Sequence, residues 1–156
     1  MGKLKLYMMI GVPGSGKTTY AQTYLQNDDT IIVNSDKIRE ELYGDEMVQK
    51  DPKKVFEILY ARARHLLQNG KNVVIDATNT SRKYRKITLS NFTDVECEKI
   101  AVLIDTPLKM CYKFDESRAR HVSRRVIDRY AREMEKPTLD EGFDQIVVYK
   151  NEYKKG

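Results

Sequence analysis

The sequence has 156 residues, a length that suits one domain built around one hydrophobic core. Its formal net charge of +5 and pI of about 9.1 form a modest basic excess, compatible with a polyanionic partner such as nucleic acid. No apolar run approaches the roughly 20 residues that a membrane-spanning helix needs, so we expect no association with a membrane.

The start of the chain and its cysteines bear on location. The first predicted strand begins almost at once after Met1, so we expect no signal peptide. Cys97 and Cys111 show neither metal-ligand spacing nor a disulfide framework, and His65 and His121 stand alone, so no zinc site is expected. A reducing, cytoplasmic setting is the simplest interpretation.

Predicted strands and helices alternate along the whole chain. Short apolar runs such as Val73–Ile75 are typical of strands, while Pro52 and Gly70 are typical of a helix start and a helix end. In chain order we predict strand Leu4–Ile10, helix Thr18–Gln26, strand Thr30–Val33, helix Lys37–Leu42, helix Pro52–Asn69, strand Asn72–Asp76, helix Arg82–Asn91, strand Lys99–Ile104, helix Pro107–Arg120, helix Arg124–Glu135 and strand Gln145–Tyr149.

The strands read as continuous apolar runs, which indicates a parallel sheet covered by helices on both faces. In such sheets ligands bind beyond the carboxyl ends of the strands. That rule selects the segments that follow the predicted strands, which are residues 11–18, 34–36, 76–79 and 105–106.

Residues 11–18 read Gly-Val-Pro-Gly-Ser-Gly-Lys-Thr and fit the phosphate-binding loop pattern G-x-x-x-x-G-K-[ST]. The pattern requires a strand before it and a helix after it, and both are predicted here. Glycines allow positive φ angles, so that successive N–H groups can surround phosphate oxygens, and the following helix presents its positive end. The alternative is a glycine-rich turn without a ligand.

This loop predicts ATP and Mg²⁺ as cofactors. Lys17 is expected to reach the β and γ phosphates, and the Thr18 hydroxyl to hold magnesium. The predicted nucleotide-binding residues are Gly11, Pro13, Gly14, Ser15, Gly16, Lys17, Thr18 and Thr19.

Asp36 and Arg39 follow the second predicted strand. A kinase needs a carboxylate that orients the acceptor hydroxyl and takes its proton, and Asp36 is well placed for that role. Its alternative is a helix N-cap. Arg39 shares a helix face with Asp36 and can clamp an acceptor phosphate, or it is a solvated surface arginine.

Asp76 ends the third predicted strand, and Thr78 and Asn79 follow it. A carboxylate at the position of Asp76 suits a role in ordering magnesium, directly or through water. Thr78 and Asn79 lie on the same rim and are candidates to contact the substrate. Their alternative is turn chemistry, which both residue types favour.

Two clusters of basic residues follow. The first either receives a nucleic-acid backbone or, the interpretation we favour slightly, is a solvated helix face; it comprises Arg82, Lys83, Arg85 and Lys86. The second is typical of an arginine-bearing lid, with Ser123 as a possible cap between two helices, and comprises Arg118, Arg120, Arg124 and Arg125. The alternative for the second cluster is a set of surface salt bridges to Asp115, Glu116 and Asp128.

Together, several stretches resemble the polynucleotide 5′-kinase branch of the P-loop kinases, as in phage end-repair kinases. The resemblance extends from about Leu4 to Ile146. It rests on Ile10-Gly11-Val12-Pro13-Gly14-Ser15-Gly16-Lys17-Thr18, Asn34-Ser35-Asp36-Lys37-Ile38-Arg39, Asp76-Ala77-Thr78-Asn79, Val126-Ile127-Asp128-Arg129 and Glu141-Gly142-Phe143-Asp144.

The resemblance implies a role for each matching residue. Lys17 would bind ATP, Asp36 would be the general base on the 5′ hydroxyl, and Arg118 would be the lid arginine that stabilises the transition state. Arg39 and Thr78 would hold the phosphate next to the acceptor nucleotide. The candidate substrate residues are therefore Asp36, Arg39, Thr78 and Asn79, with Val122 and Val126 flanking the terminal base, and the metal residues are Thr18 and Asp76.

The sequence departs from the family pattern at three places. Ala77 occupies the position directly before Thr-Asn where the family has an acidic residue, and Asp76 is one residue earlier. Phe114 replaces an arginine four residues before Arg118, and Ser123 replaces a proline. No Asp-x-Asp phosphatase motif or Lys-x-Asp-Gly ligase motif is present, so we expect a kinase alone.

We therefore predict a single P-loop kinase-like α/β domain over residues 1–156. It is a three-layer sandwich with a central, mostly parallel five-stranded sheet and a helical lid at about 107–136. The expected activity is transfer of the γ phosphate of ATP to the 5′-hydroxyl end of DNA or RNA in nucleic-acid end repair. The alternatives are a sugar, nucleoside or antibiotic kinase of the same fold, and a non-catalytic ATP-dependent switch.

Overall fold

The computed structural model describes residues 3–118 and 122–151, in which five strands form one sheet in the order β2-β3-β1-β4-β5. All neighbouring strands run parallel, which confirms the predicted sheet. The strands are β1 Leu4–Ile10, β2 Thr30–Asn34, β3 Asn72–Asp76, β4 Cys97–Asp105 and β5 Gln145–Lys150.

Helices connect these strands and cover both faces of the sheet. They are α1 Lys17–Tyr20, which continues as a π-helical turn over Ala21–Leu25, α2 Ser35–Tyr43, α3 Pro52–Gln68, α4 Arg82–Ser90, α5 Leu108–Glu116 and α6 Arg124–Glu133. A short 3₁₀ turn, Leu139–Glu141, precedes β5 and was not among the predicted elements. Among the described residues, no helix is both long enough and apolar enough to span a membrane.

The core divides between the two faces of the sheet. On one face, Leu6 and Val73 pack against the apolar side of α3, including Leu59. On the other face, Met9 packs in a cluster with Ala21 of the π-helical turn. The loop that joins β1 to α1 lies at the carboxyl end of β1, and the packing of Tyr20 and Ala21 against the sheet anchors the helix that follows it.

Several predicted bounds differ from the structure by one or two residues; α6 ends at Glu133 rather than Glu135, and β4 begins at Cys97 rather than Lys99. Two further differences have identifiable local causes. The helix after the phosphate loop is not α-helical to its end, because the Gln26 N–H bonds to the Ala21 carbonyl, five residues back, at 2.8 Å. Helix α2 begins two residues earlier than predicted, because the Asn34 side chain accepts a hydrogen bond from the Lys37 N–H and caps it. The interpretation of Asp36 as the N-cap is therefore wrong.

The lid helices match the helix-break-helix prediction within the described residues. Helix α5 ends at Glu116, and the predicted continuation to Arg120 lies partly outside the described residues. Helix α6 begins after Ser123, whose side chain accepts a hydrogen bond from the Val126 N–H, so Ser123 is a helix cap as predicted.

Candidate active site

The loop between β1 and α1 has the backbone shape that its glycines predict. Gly14 and Gly16 have φ angles of 79° and 95°, which side-chain-bearing residues rarely adopt. The Gly11 N–H donates to the Thr78 carbonyl at 3.0 Å, and the Lys17 ammonium donates to the Val12 carbonyl at 3.0 Å. The side chain of Lys17 is therefore folded back over its own loop. With a nucleotide bound, phosphate oxygens would take the place of the Val12 carbonyl as acceptors for its ammonium group.

The same loop is packed tightly against the first lid helix. A Cβ atom on Gly14 would lie 2.4 Å from the Cys111 carbonyl oxygen, so no other residue fits without displacing α5. The Thr106 hydroxyl donates to the Ser15 carbonyl at 2.6 Å. Burial raises the pKa of the Cys111 thiol to about 11, so it stays protonated at neutral pH and serves as packing.

Thr18 and Asp76 meet at the end of the sheet. The Thr18 hydroxyl donates to Oδ2 of Asp76 at 2.6 Å, and Nδ2 of Asn34 donates to the same oxygen at 2.9 Å. Asn34 and Asp76 are register partners at the ends of β2 and β3. A hydroxyl beside a carboxylate is an oxygen donor set that fits magnesium, and the glycine loop beside it fits the phosphates of a nucleotide.

Burial outweighs the two nearby carboxylates in setting the pKa of Lys17. Burial lowers the pKa of Lys17, while the negative charges of Asp76 and Asp36 act in the opposite direction. The ammonium is half-buried, and its side chain forms no ion pair with another described residue. A bound polyphosphate would supply the direct anionic partner that this lysine lacks.

Asp36 and Arg39 form an ion pair on the first turns of α2. The distance from Nη1 of Arg39 to Oδ1 of Asp36 is 2.7 Å, and the arginine side chain is 12% exposed while that of the aspartate is 52% exposed. Because Asn34 caps the helix, Asp36 keeps an open carboxylate. The interpretation of Arg39 as a solvated surface residue is wrong, since the guanidinium is largely buried in the wall of the cleft.

A cleft of about 300 Å³ brings most of the predicted site residues together. It is bounded by the phosphate loop, the start of α2, the end of β3 and the lid. The predicted residues that line it are Pro13, Gly14, Lys17, Thr18, Asp36, Arg39, Asp76, Thr78, Arg118, Val122 and Val126.

Five predicted residues do not line this cleft; they are Gly11, Ser15 and Gly16 of the phosphate loop, with Thr19 and Asn79. The Asn79 amide donates to the Met9 carbonyl at 2.7 Å, and its φ is 50°, so its side chain is occupied in the turn. The turn alternative describes Asn79, and its proposed contact with substrate has no support in this geometry. Thr19 is exposed on α1 and is absent from the described lining of the cleft.

The cleft also contains residues that the sequence analysis did not assign. Arg129 and Tyr130 come three and four residues after Val126, so helical spacing from that valine is the signal that would have found them. Asn34, Ser35 and Ala77 also line the cleft and belong to the segments that the sequence analysis selected after the second and third strands, without an assigned role. Nothing in the sequence pattern marks the remaining lining residues, which come from the loop after α2 and from α3; they are Glu46, Met47, Gln49 and Phe56.

The lid arginines are partly engaged in ion pairs. Nη2 of Arg118 lies 2.9 Å from Oδ1 of Asp115, a buried carboxylate that also accepts the Val122 N–H at 3.0 Å. Arg124 pairs with Glu116 at 3.2 Å. The salt-bridge alternative thus describes these two arginines at their observed positions, although Arg118 also lines the cleft.

The remaining residues that the sequence analysis named for the lid cluster and its salt-bridge alternative are Arg120, Arg125 and Asp128. Arg120 lies outside the described residues, and Arg125 is exposed. Asp128 accepts a hydrogen bond from the Tyr112 hydroxyl. Arg124 lies over the Tyr112 ring, 4.9 Å from its centre, so α5 and α6 are joined on their shared side.

The first basic cluster contains a correction. Arg85 is fully buried, where Nε lies 2.7 Å from Oε1 of Glu141 and Nη1 donates to the Asn79 carbonyl at 2.8 Å. Neither a solvated face nor a nucleic-acid contact describes it. Lys83 and Lys86 remain exposed, and Arg82 points toward Glu141 at 3.6 Å.

Comparison with known proteins identifies the family of the chain. The profile of a family described as AAA domain (AAA_33) matches residues 6–137. No curated protein matches the sequence significantly.

Solved structures share the fold at low identity. A chain of the Pnkp1/Rnl/Hen1 RNA repair complex superposes with a TM-score of 0.75 at 23% identity over 85% of this chain and 44% of that one. The Mycobacterium tuberculosis APS kinase CysC, in complex with AMPPNP and APS, superposes with a TM-score of 0.64 at 18% identity, over 95% of this chain and 90% of that one. A gluconokinase from Sinorhizobium meliloti 1021 superposes with a TM-score of 0.64 at 14% identity, over 96% of this chain and 84% of that one. The chain thus spans less than half of the repair-complex protein but most of each small-molecule kinase.

Proposed function

The chain belongs to the AAA_33 family of AAA domains and has the P-loop kinase fold, and from this premise we propose that it is an ATP-dependent polynucleotide 5′-hydroxyl kinase. It would transfer the γ phosphate of ATP to the 5′-OH end of DNA or RNA. One observation carries the proposal: the Asp36–Arg39 pair lines the same cleft as the phosphate loop, together with apolar residues and arginines of the lid.

The donor side of the cleft would hold ATP. Backbone N–H groups of the loop and the Lys17 ammonium would surround the phosphates, and magnesium would be held at Thr18 and Asp76. When bound, the ion supplies neutralisation of the negative charge on the transferred group. The tight contact of Gly14 with α5 keeps the loop in register with the lid.

The acceptor side supplies a base and an anchor. Asp36 would orient the acceptor hydroxyl and accept its proton while the oxygen attacks the γ phosphorus. Arg39 is held 2.7 Å from Asp36, so a phosphate bound by its guanidinium lies next to the hydroxyl that the carboxylate addresses. This arrangement suits an acceptor whose reacting hydroxyl is one nucleotide from a backbone phosphate.

The walls of the acceptor side suit a nucleobase. Val122 and Val126 of the lid and Phe56 of α3 all line the cleft. Such apolar and aromatic side chains would receive a flat ring without demanding a particular sequence. Arg118 and Arg129 add positive charge at the rim for phosphates.

A small-molecule kinase of the same fold is the second candidate. The specific observation in its favour is that a gluconokinase and an APS kinase superpose over more than nine-tenths of this chain. Asp36 would serve any hydroxyl acceptor. A non-catalytic ATP-dependent switch is a further alternative, which predicts ATP binding without a phosphorylated product.

We also infer a cytoplasmic location and a single kinase domain, as expected from the sequence.

The decisive test is transfer of the labelled γ phosphate of ATP, with Mg²⁺, to a short single-stranded 5′-hydroxyl oligonucleotide. Wild type is compared with Asp36→Asn, which keeps the shape of the side chain and removes the base, and with Lys17→Ala. We expect label on the oligonucleotide from wild type, a loss of at least about 100-fold for each variant, and retained ATP binding for Asp36→Asn. ATP binding without oligonucleotide label, and label on a sugar or nucleoside instead, would establish the second candidate.

A further inference from the structure

Helix α6 presents three arginines on one exposed side. Arg125, Arg129 and Arg132 are spaced four and three residues apart, which places them within a narrow sector of the helix surface. All three are exposed. We call these residues the arginine stripe.

The stripe borders the cleft and does not face the core. Ile127 lies on the opposite side of α6 and is fully buried in the cluster that joins the lid to Val12. Val126 and Tyr130 occupy the sector between these two sides and line the cleft. Arg129 belongs to both sectors, so the stripe begins at the cleft and continues outward over the lid.

The stripe differs from the other described lid arginines in its partners. Arg118 and Arg124 form ion pairs with Asp115 and Glu116, whereas the arginine stripe has no ion pair among residues 3–118 and 122–151. Arg129 instead lies over the Tyr130 ring, 5.5 Å from its centre. Unpaired like charges on one sector repel one another, and an external polyanion relieves that repulsion.

We infer that the arginine stripe is a docking track for the acceptor strand, on the 3′ side of the nucleotide that is phosphorylated. This inference rests on the proposed polynucleotide kinase activity and names the partner surface of the same site. Seven helical residues rise by about 10 Å, which is the length of about two to three stacked nucleotides. The track therefore receives the backbone phosphates that follow the terminal nucleotide, after Arg39 has taken the first.

The test compares acceptor length. Single-stranded 5′-hydroxyl oligonucleotides of two, four and eight nucleotides are phosphorylated by wild type and by the double variant Arg125→Gln/Arg132→Gln, which spares the cleft residue Arg129. We expect the KM of the double variant to rise by less than about twofold for the dinucleotide and about tenfold for the octanucleotide, with kcat retained. The salt dependence of the octanucleotide KM should become shallower by about 1.4 in logarithmic slope, about 0.7 for each lost phosphate contact.

The double variant Lys3→Gln/Lys5→Gln is the matched control, because both lysines are exposed cations at the amino end of the central strand β1, and the phosphate loop follows the carboxyl end of that strand. It removes two charges and should leave the length dependence as in wild type. An arginine double variant whose KM changes equally at all three lengths, or not at all, overturns the docking track while leaving the proposed kinase intact. A wild-type protein that phosphorylates none of the oligonucleotides overturns the proposed function and the track together.

Discussion

Arg85 and Glu141, which lie 56 residues apart in the sequence, form an ion pair that is closed off from solvent, with 2.7 Å between Nε and Oε1. The pair joins α4 to the turn that follows the lid. Nη1 of Arg85 also donates to the Asn79 carbonyl, so the pair supports the loop that carries Thr78 into the cleft. A buried pair of this kind is costly to break, because the remaining partner keeps its charge without a counterion.

We therefore expect Glu141→Gln to lower the free energy of unfolding by about 3–5 kcal/mol, measured by urea denaturation at pH 7. Arg64→Gln is the control, because Arg64 and Asp94 form an exposed pair at the surface, and it should change stability by less than about 1 kcal/mol. Equal effects of the two substitutions would contradict the structural importance of the buried pair.

The same pair predicts a dependence of stability on pH. Burial raises the pKa of Glu141, but hydrogen bonds from Arg85 and Thr138 outweigh it, and the pKa is lowered from 4.5. A carboxyl with a lowered folded-state pKa stabilises the protein above its unfolded pKa and loses that contribution as the pH falls through the folded value. The difference in unfolding free energy between wild type and Glu141→Gln should therefore narrow below pH 4.5, and a difference that stays constant would disprove the linkage.

Gly14 tests the contact between the phosphate loop and the lid. Gly14→Ala combines a φ of 79° with a Cβ 2.4 Å from the Cys111 carbonyl oxygen, so we expect ATP affinity to fall by about 100-fold or more, measured by calorimetry. Gly44→Ala is matched in backbone strain, since its φ is 76°, but its Cβ would meet no atom within 4 Å. It should cost about 1 kcal/mol in stability and leave ATP affinity unchanged. Similar ATP affinities in the two variants would refute the contact as the cause.

Asp76 is expected to set the dependence on magnesium. Asp76→Asn keeps the size of the side chain but removes the charge beside the Thr18 hydroxyl. We expect the Mg²⁺ concentration for half-maximal ATP turnover to rise by about tenfold and kcat to fall by about 100-fold. Thr23→Val, an exposed substitution in the π-helical turn, serves as the control. An unchanged Mg²⁺ titration would remove Asp76 from the metal site.

Lys17 is expected to reduce the stability of the nucleotide-free protein. Burial lowers its folded-state pKa below 10.5, so the unfolded chain binds the proton more tightly and stability rises with pH between the two values. Lys17→Met removes the buried charge and should raise the free energy of unfolding at pH 7 while abolishing turnover. Its advantage should shrink as the pH approaches 10.5, measured by urea titration at each pH. A variant that is less stable than wild type at pH 7 would contradict this assignment.

The sequence by itself determined the parallel sheet and the position of the cleft. Apolar runs without alternation specify strands that are buried on both faces, and parallel strands place their carboxyl ends at one edge. The segments after β1, β2 and β3 therefore had to converge, and Lys17, Asp36 and Asp76 do so in the structure. Local spacing was sufficient because each of these residues lies at the end of a strand or in the first turn of the helix that follows one.

Only the tertiary structure decided which charged residues are buried and which remain free. Arg85 lies in a run of basic residues with the local pattern of a solvated helix, and its partner is distant in the sequence. Arg125 and Arg118 belong to the same basic run, yet one is exposed without an ion pair among the described residues and the other meets the buried Asp115. Burial and pairing of a charge depend on the elements that pack around it, and sequence spacing along one helix carries no information about those neighbours.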